Sequence, residues 1–394
     1  MVSQFIHSLK LRNLLSYGSD TEPLKLEPLN VLIGRNASGK SNLIEALGIL
    51  KATPTDLTTP IRQGGGISDF LWKGTQKIPI AEIDATIAPL EGSMNLRYRI
   101  SFTETGQRLE IIDEAIENEQ PYPGENEPYF FYRYQGGRPV INEATEVDGY
   151  KKRALRRETL SPEQSVLSQR KDPDMYPQLS YLAAQFAQIN LYRNWQIGRY
   201  SEPRLAQQTD LPSHPILEDI SNLGLVLNNL QYQLGSREII ENLQKFYEEA
   251  EELIIKIYGG TVQIFIREKD LIQPIPATRL SDGTLRYLFL MALLLDPTPG
   301  PILCIEEPEI GLHPDILPMI AEMLISASER TQLIVTTHSD ALISALPPES
   351  VLVCDRHESG SFIRRLEADK LKKWLENYTL GDLWRMGEIG GNRW

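Results

Sequence analysis

Gly34-Arg35-Asn36-Ala37-Ser38-Gly39-Lys40-Ser41 decides how the rest of this 394-residue chain is read. The stretch fits G-x-x-x-x-G-K-[ST], the phosphate-binding loop. Its flanks agree. Leu29-Asn30-Val31-Leu32-Ile33 predicts a short buried strand, and Asn42-Leu43-Ile44-Glu45-Ala46-Leu47 opens an amphipathic helix. Gly34 and Gly39 let the backbone curl so that N–H groups converge on a β-phosphate. The helix beginning near Lys40 adds the positive end of its dipole. Lys40 can then sit between β- and γ-phosphates, and the Ser41 hydroxyl can ligate Mg²⁺.

A second constellation follows late in the chain. Ile302-Leu303-Cys304-Ile305-Glu306-Glu307 reads as an apolar strand that delivers two adjacent carboxylates at its end. Successive strand residues face opposite ways, so the two acids have different work. Glu306 is the candidate for holding Mg²⁺, directly or through water, and Glu307 for polarising a water that attacks a γ-phosphate. Further on, Ile334-Val335-Thr336-Thr337-His338-Ser339 ends another apolar strand at a histidine. Strand order should place His338 beside the phosphate loop, within reach of a γ-phosphate.

Composition sets the outer limits. Hydrophobic content of 41% and charged content of 24% belong to a globular chain with room for two or three compact units. No apolar run approaches the roughly 20 residues of a membrane span, and the N-terminus lacks a secretory signal pattern. Cys304 and Cys354 lie in apolar runs and read as buried reduced thiols, which points to the cytosol. Net charge is -13, so the whole surface does not suit nucleic acid. Charge is uneven, however. Eight acids against one base occupy 104–127, whereas Lys151, Lys152, Arg153, Arg156 and Arg157 form a run without an acid. Such a run is either a solvated helix face or a local contact to a phosphate backbone.

Along the chain, alternation predicts a strand over 7–13, and three more strands over 78–87, 94–102 and 108–116, joined by turn compositions into an antiparallel meander. A hairpin is expected around Gly136-Gly137. From Tyr150 to about Gly259 the spacing becomes helical, with helices over 216–234 and 238–258 and a Pro/Gln-rich connector between Arg199 and Pro215. Strand returns at 261–267, and helices are expected over 282–295, 314–328, 339–346, 370–378 and 381–386.

Four motifs together resemble the ABC-type ATPases of the SMC/RecF-like branch. Gly34 to Ser41 resembles Walker A, followed by the Asn42 typical of that branch. Leu280-Ser281-Asp282-Gly283-Thr284 resembles the ABC signature, departing from L-S-G-G-Q at Asp282 and Thr284. Glu306-Glu307-Pro308-Glu309-Ile310-Gly311-Leu312-His313-Pro314 resembles Walker B running into the D-loop, with Glu306 where Asp is commoner. Thr337-His338-Ser339 resembles the switch histidine. The resemblance covers about 1–115 and 260–394. It implies an α/β head, with a P-loop parallel or mixed sheet and the antiparallel meander, interrupted by a mostly helical insertion over 116–259 that carries a short β-hairpin. It implies ATP and Mg²⁺ as ligands, and a homodimer closed by ATP, in which Ser281, Asp282 and Gly283 of one subunit cap the γ-phosphate held by the other. Arg12 and Asn13 would approach the nucleotide. Gln63, Gln185 and Gln188 are open candidates for a Q-loop glutamine. The run from Leu380 to Trp394 resembles the ending of bacterial ATPases of this group, either docked on the core or presenting Trp384 and Trp394 to a partner. The group further implies action on DNA or on a separate nuclease or effector in defence or repair. A transporter subunit and a non-hydrolysing scaffold are the rival expectations.

Overall fold

The computed structural model describes residues 4–391, apart from 91, 93, 136–137, 146–148, 155–159 and 194–196. The chain opens with β1 (Ile6–Arg12), whose apolar residues face inward, and the short β2 (Leu24–Lys25). β3 (Leu29–Ile33) is buried along its whole length, as a strand covered on both faces must be. The phosphate loop leads into α1 (Lys40–Ala52), then α2 (Thr58–Gln63) and α3 (Ile67–Phe70). The meander follows as β4 (Ala81–Ile87), β5 (Leu96–Thr105), β6 (Arg108–Asn118), β7 (Phe130–Gln135), β8 (Arg138–Thr145) and β9 (Gly149–Ala154). These strands form one eight-stranded antiparallel sheet in the order β2-β1-β4-β5-β6-β7-β8-β9.

The chain continues through α4 (Val166–Gln169) and α5 (Pro177–Ala187) to β10 (Asn190–Tyr192) and β11 (Gln207–Gln208). Two helices, α6 (Leu223–Leu234) and α7 (Ser236–Phe246), precede β12 (Ala250–Tyr258), β13 (Thr261–Glu268) and β14 (Ile275–Pro276), which with β11 make a small antiparallel sheet. The last third alternates helix and strand: α8 (Asp282–Leu294), β15 (Ile302–Glu306), α9 (Leu317–Ser328), β16 (Gln332–Thr336), α10 (Asp340–Ser344), β17 (Val351–His357), β18 (Gly360–Arg365), α11 (Ala368–Leu375) and α12 (Leu380–Met386).

The second large sheet runs β10-β15-β16-β3-β17-β18, with only β18 antiparallel. Its alternating side chains divide between two cores. Val31, Ile33, Leu303, Ile305, Leu333 and Val335 face the core containing α6, α8, α9 and α12. Leu32, Ile302, Cys304, Ile334, Leu352 and Cys354 face α1, α5 and the meander. The α/β expectation, the meander and the hairpin of β7 with β8 are all present.

The stretch 116–259 differs from the sequence expectation. It is not mostly helical, and it is woven into the head. The helix expected over 238–258 stops at Phe246, and 250–258 is β12, paired with β13 across Gly259-Gly260. The β-branched run Leu253-Ile254-Ile255-Lys256-Ile257 before a Gly-Gly turn favours a hairpin over a helix. Lys151, Lys152 and Arg153 lie on β9, an edge strand, not on a helix. β10 forms the edge of the nucleotide sheet, parallel to β15.

Candidate nucleotide site

Three neighbouring parallel strands end level with one another. Glu306 of β15 pairs with Thr336 of β16, and Thr336 pairs with Leu32 of β3. The residues that follow each strand therefore meet at one rim, where open α/β sheets bind ligands. The crevice there is lined by Asn36, Ala37, Gly39, Lys40, Ser41, Asn42, Glu307, Thr336 and His338.

The phosphate loop fits only with glycine at its ends. Gly34 has φ of 148°, and a Cβ there would lie 2.3 Å from the Cys354 carbonyl oxygen. Gly39 has φ of 107°, and its Cβ would fall 2.4 Å from Ser361 Oγ. Gly39 also precedes α1 without any side chain capping the helix, so the first N–H groups of α1 are left to the loop's ligand. Lys40 is buried, with Nζ donating to the carbonyls of Gly34 at 2.7 Å and Arg35 at 3.1 Å. Burial pushes its ammonium below the usual lysine range, while Glu306, Glu307 and Glu309 are among the groups that oppose this. Ser38 Oγ is buried without a hydrogen-bond partner.

Glu306 accepts a hydrogen bond from the Ser41 hydroxyl, and burial raises its carboxyl above the usual range. The hydroxyl and carboxylate expected to share a metal are thus in contact, and a divalent cation there would oppose the shift that burial imposes. Glu307 occupies the left-handed region, φ 49°, with its N–H bonded to the Thr336 carbonyl at 2.9 Å. A glutamate held there is strained, and the bend turns its carboxylate to within 3.7 Å of His338 Nε2. Glu309 was not singled out from sequence. Its Oε1 accepts from Thr337 Oγ1 at 2.8 Å and from the His338 N–H at 2.7 Å, so the D-loop holds the switch histidine's backbone. Burial raises the Glu309 carboxyl too, and Oε2 is buried without a partner.

The signature segment stands apart: among the described residues, none of Ser281, Asp282 or Gly283 lines the crevice. Ser281 caps α8, its Oγ accepting from the Thr284 N–H at 3.0 Å. The side chain of Asp282 is tied to Arg204. A Cβ on Gly283 would lie 3.1 Å from the Gly311 carbonyl oxygen, so signature and D-loop touch.

The Arg12 expectation lands differently, and the two readings of the C-terminal run are separated at Trp384. Arg12 donates to the Ser19 carbonyl at 3.3 Å and lies 3.6 Å from Glu82, and it does not line the crevice. The turn after β1 reaches the loop through other residues. Tyr17 Oη donates to the Gly39 carbonyl at 2.9 Å, and Ser16 Oγ accepts from Asn42 at 2.7 Å and from Ser361 at 2.7 Å. Asn42 therefore braces the loop through Ser16. Trp384 is fully buried, with its indole N–H donating to the Gly391 carbonyl at 2.7 Å, so it is a core residue rather than an exposed anchor. Trp394, Arg156 and Arg157 lie outside the described residues. Gln63, Gln185 and Gln188 do not line the crevice either. Arg193, at the end of β10, pairs with Glu45 of α1, one turn beyond Ser41.

A family model described as "AAA domain, putative AbiEii toxin, Type IV TA system" matches residues 29–344, from the start of β3 to the end of α10. The chain belongs to this AAA-domain family. No curated protein matches its sequence. In three dimensions this AAA-domain chain is similar to the SMC head bound to the C-terminal winged-helix domain of ScpA, with TM-score 0.55 and 15% identity over 94% of this chain and 99% of that one. It is also similar to the Smc head with an extended coiled coil, bound to the C-terminal domain of ScpA, from Pyrococcus furiosus, with TM-score 0.53 and 13% identity over 94% and 98% of the two chains. The fold is thus that of an SMC-type nucleotide-binding ATPase head. No helix among the described residues is long and apolar enough to cross a membrane.

Proposed function

We propose that this AAA-domain chain is an ATP-hydrolysing dimerisation switch that acts on DNA or on a DNA-processing partner, such as a nuclease, in bacterial defence or repair. The observation that carries the reading is the meeting of Lys40, Ser41, Glu306, Glu307 and His338 at the level ends of β3, β15 and β16. The loop's N–H groups and Lys40 hold the phosphates. Ser41 and Glu306 would hold Mg²⁺, which neutralises phosphate charge when bound. Glu307 orients and polarises the attacking water, and His338 supports the γ-phosphate from the strand between Walker A and Walker B. Among the described residues, the signature does not line the crevice of its own subunit, which leaves the roof of each half-site to a second chain. Ser281 and the Gly283 N–H, at the start of α8, supply it from a second copy. ATP then joins two heads, and hydrolysis parts them. Lys151, Lys152 and Arg153 on the edge strand β9, with Arg156 and Arg157, are the candidate DNA contact.

Phosphate release and mass by light scattering test this on the wild type and on Glu307→Gln, with and without DNA. The wild type should hydrolyse ATP. The variant should lose turnover and accumulate as a dimer with Mg²⁺-ATP. No phosphate release from the wild type under either condition would overturn the hydrolytic reading.

A further inference from the structure

Arg204 is buried, at 8% exposure, in a segment that carries no recognisable motif. Its Nε donates to the Gly198 carbonyl at 3.0 Å, and one terminal nitrogen donates to the carbonyls of Ala277 at 3.1 Å and Leu280 at 2.6 Å. The other terminal nitrogen pairs with the carboxylate of Asp282. Arg204 therefore grips both sides of Ser281, from a connector about 75 residues upstream.

The pairing bears on ligand binding. The start of α8 offers Ser281 and the first N–H groups of a helix, which favour an anion. Asp282 is the first residue of the same helix and is 55% exposed, so an uncompensated carboxylate would repel a phosphate brought to that corner. Arg286, one turn further along α8, also feels the Asp282 charge, and burial lowers its own pKa. Arg204 combines a direct bond to the carboxylate with a hold on the backbone leading to it.

We propose that Arg204 is a positioning residue for the nucleotide site of the opposite subunit: it cancels the charge of Asp282 and fixes the signature corner, so that the corner accepts a triphosphate. This rests on the two-subunit site proposed above. A purely structural arginine would need only the carbonyls. The bond to a half-exposed carboxylate is the part that matters for an anion.

The test measures ATP-dependent dimerisation in the Glu307→Gln chain, by light scattering across protein concentration, with melting curves for every variant. Adding Arg204→Gln should weaken the dimer by at least about tenfold, because the carboxylate at the γ-phosphate is no longer cancelled. Adding Asp282→Asn as well should restore the dimer to within about threefold of the parent, the coupling a charge pair gives in a double-mutant cycle. Failure of that rescue, or a dimer unaffected by Arg204→Gln, overturns the proposal. Arg204→Lys keeps the charge and loses the fork. It carries the test if the glutamine variant does not fold: a dimer within about threefold of the parent supports charge cancellation, and a loss of tenfold or more overturns it. A Glu307→Gln parent that stays monomeric with Mg²⁺-ATP refutes the two-subunit reading itself, and this inference with it.

Discussion

Glu309 offers a direct test of how the switch histidine is held. Its single oxygen Oε1 receives two hydrogen bonds, from the Thr337 hydroxyl and from the His338 N–H. Glu309→Ala removes both and leaves two half-buried donors with a cavity between them. Each bond is worth at least about 1 kcal/mol net, and each stranded donor adds to that, so the stability cost should be about 2–4 kcal/mol. The catalytic cost should be larger in rate terms. His338 sits 3.7 Å from Glu307, and its N–H donates to Glu309 Oε1 at 2.7 Å. A drift of about 1 Å at such a site costs on the order of 10²-fold in turnover. Glu309→Gln keeps an oxygen for both donors and turns its amide toward the unpartnered Oε2 position, so its loss should stay within about tenfold. Steady-state phosphate release gives kcat and KM, and urea unfolding gives stability. If Glu309→Ala folds and its kcat stays within about twofold of wild type, the D-loop does not position the histidine and the reasoning fails.

Two further outcomes follow from burial. Glu114 is fully buried in the meander and accepts from Tyr98, Ser165 and the Val166 N–H, and burial raises its carboxyl above the usual range. The folded state then binds the proton more tightly than the unfolded state. The stability this group contributes is complete below its unfolded pKa of about 4.3 and declines as pH rises through the folded value. Wild type should therefore lose stability relative to Glu114→Gln as pH rises from about 4 toward neutral, as read by urea titration, and a flat difference refutes the assignment. Trp384→Ala should cost about 3–5 kcal/mol, because a fully buried indole and its bond to Gly391 are both lost. It should also weaken ATP binding, since a Cβ on Gly391 would lie only 3.3 Å from Gly34 Cα at the start of the phosphate loop. Unchanged stability in urea would place Trp384 outside the core.

The candidate nucleotide rim was legible because each part is local. An apolar strand followed by glycines and a lysine, or by two acids, or by a histidine, needs no distant partner to be recognised. Neighbouring strands then had to bring the three ends together, and the order β15-β16-β3 does so. What sequence missed is held by long-range bonds. Ser16, Tyr17 and Arg204 carry no motif, Glu309 sits in one that assigns it no role, and their roles depend on partners up to hundreds of residues away, as with Ser16 and Ser361. The error at 238–258 has a different cause. Apolar residues three and four apart occur in both a helix and a short amphipathic strand, and the Gly259-Gly260 turn ending β12 was read as a helix stop. Asp282 was read as a nucleotide contact from its place in the signature. The ion pair with Arg204 gives its carboxylate another occupation.

The path of the middle of the chain has a mechanical consequence. After β10 it clasps the Walker A helix through Arg193 and Glu45, and a few residues later it clasps the signature through Arg204. In the proposed pair of heads, those two grips would serve different nucleotides, one beneath and one across the seam. Tension on the stretch that carries both arginines would reach both proposed sites, so a protein that tugged there could set the pace of each without touching either.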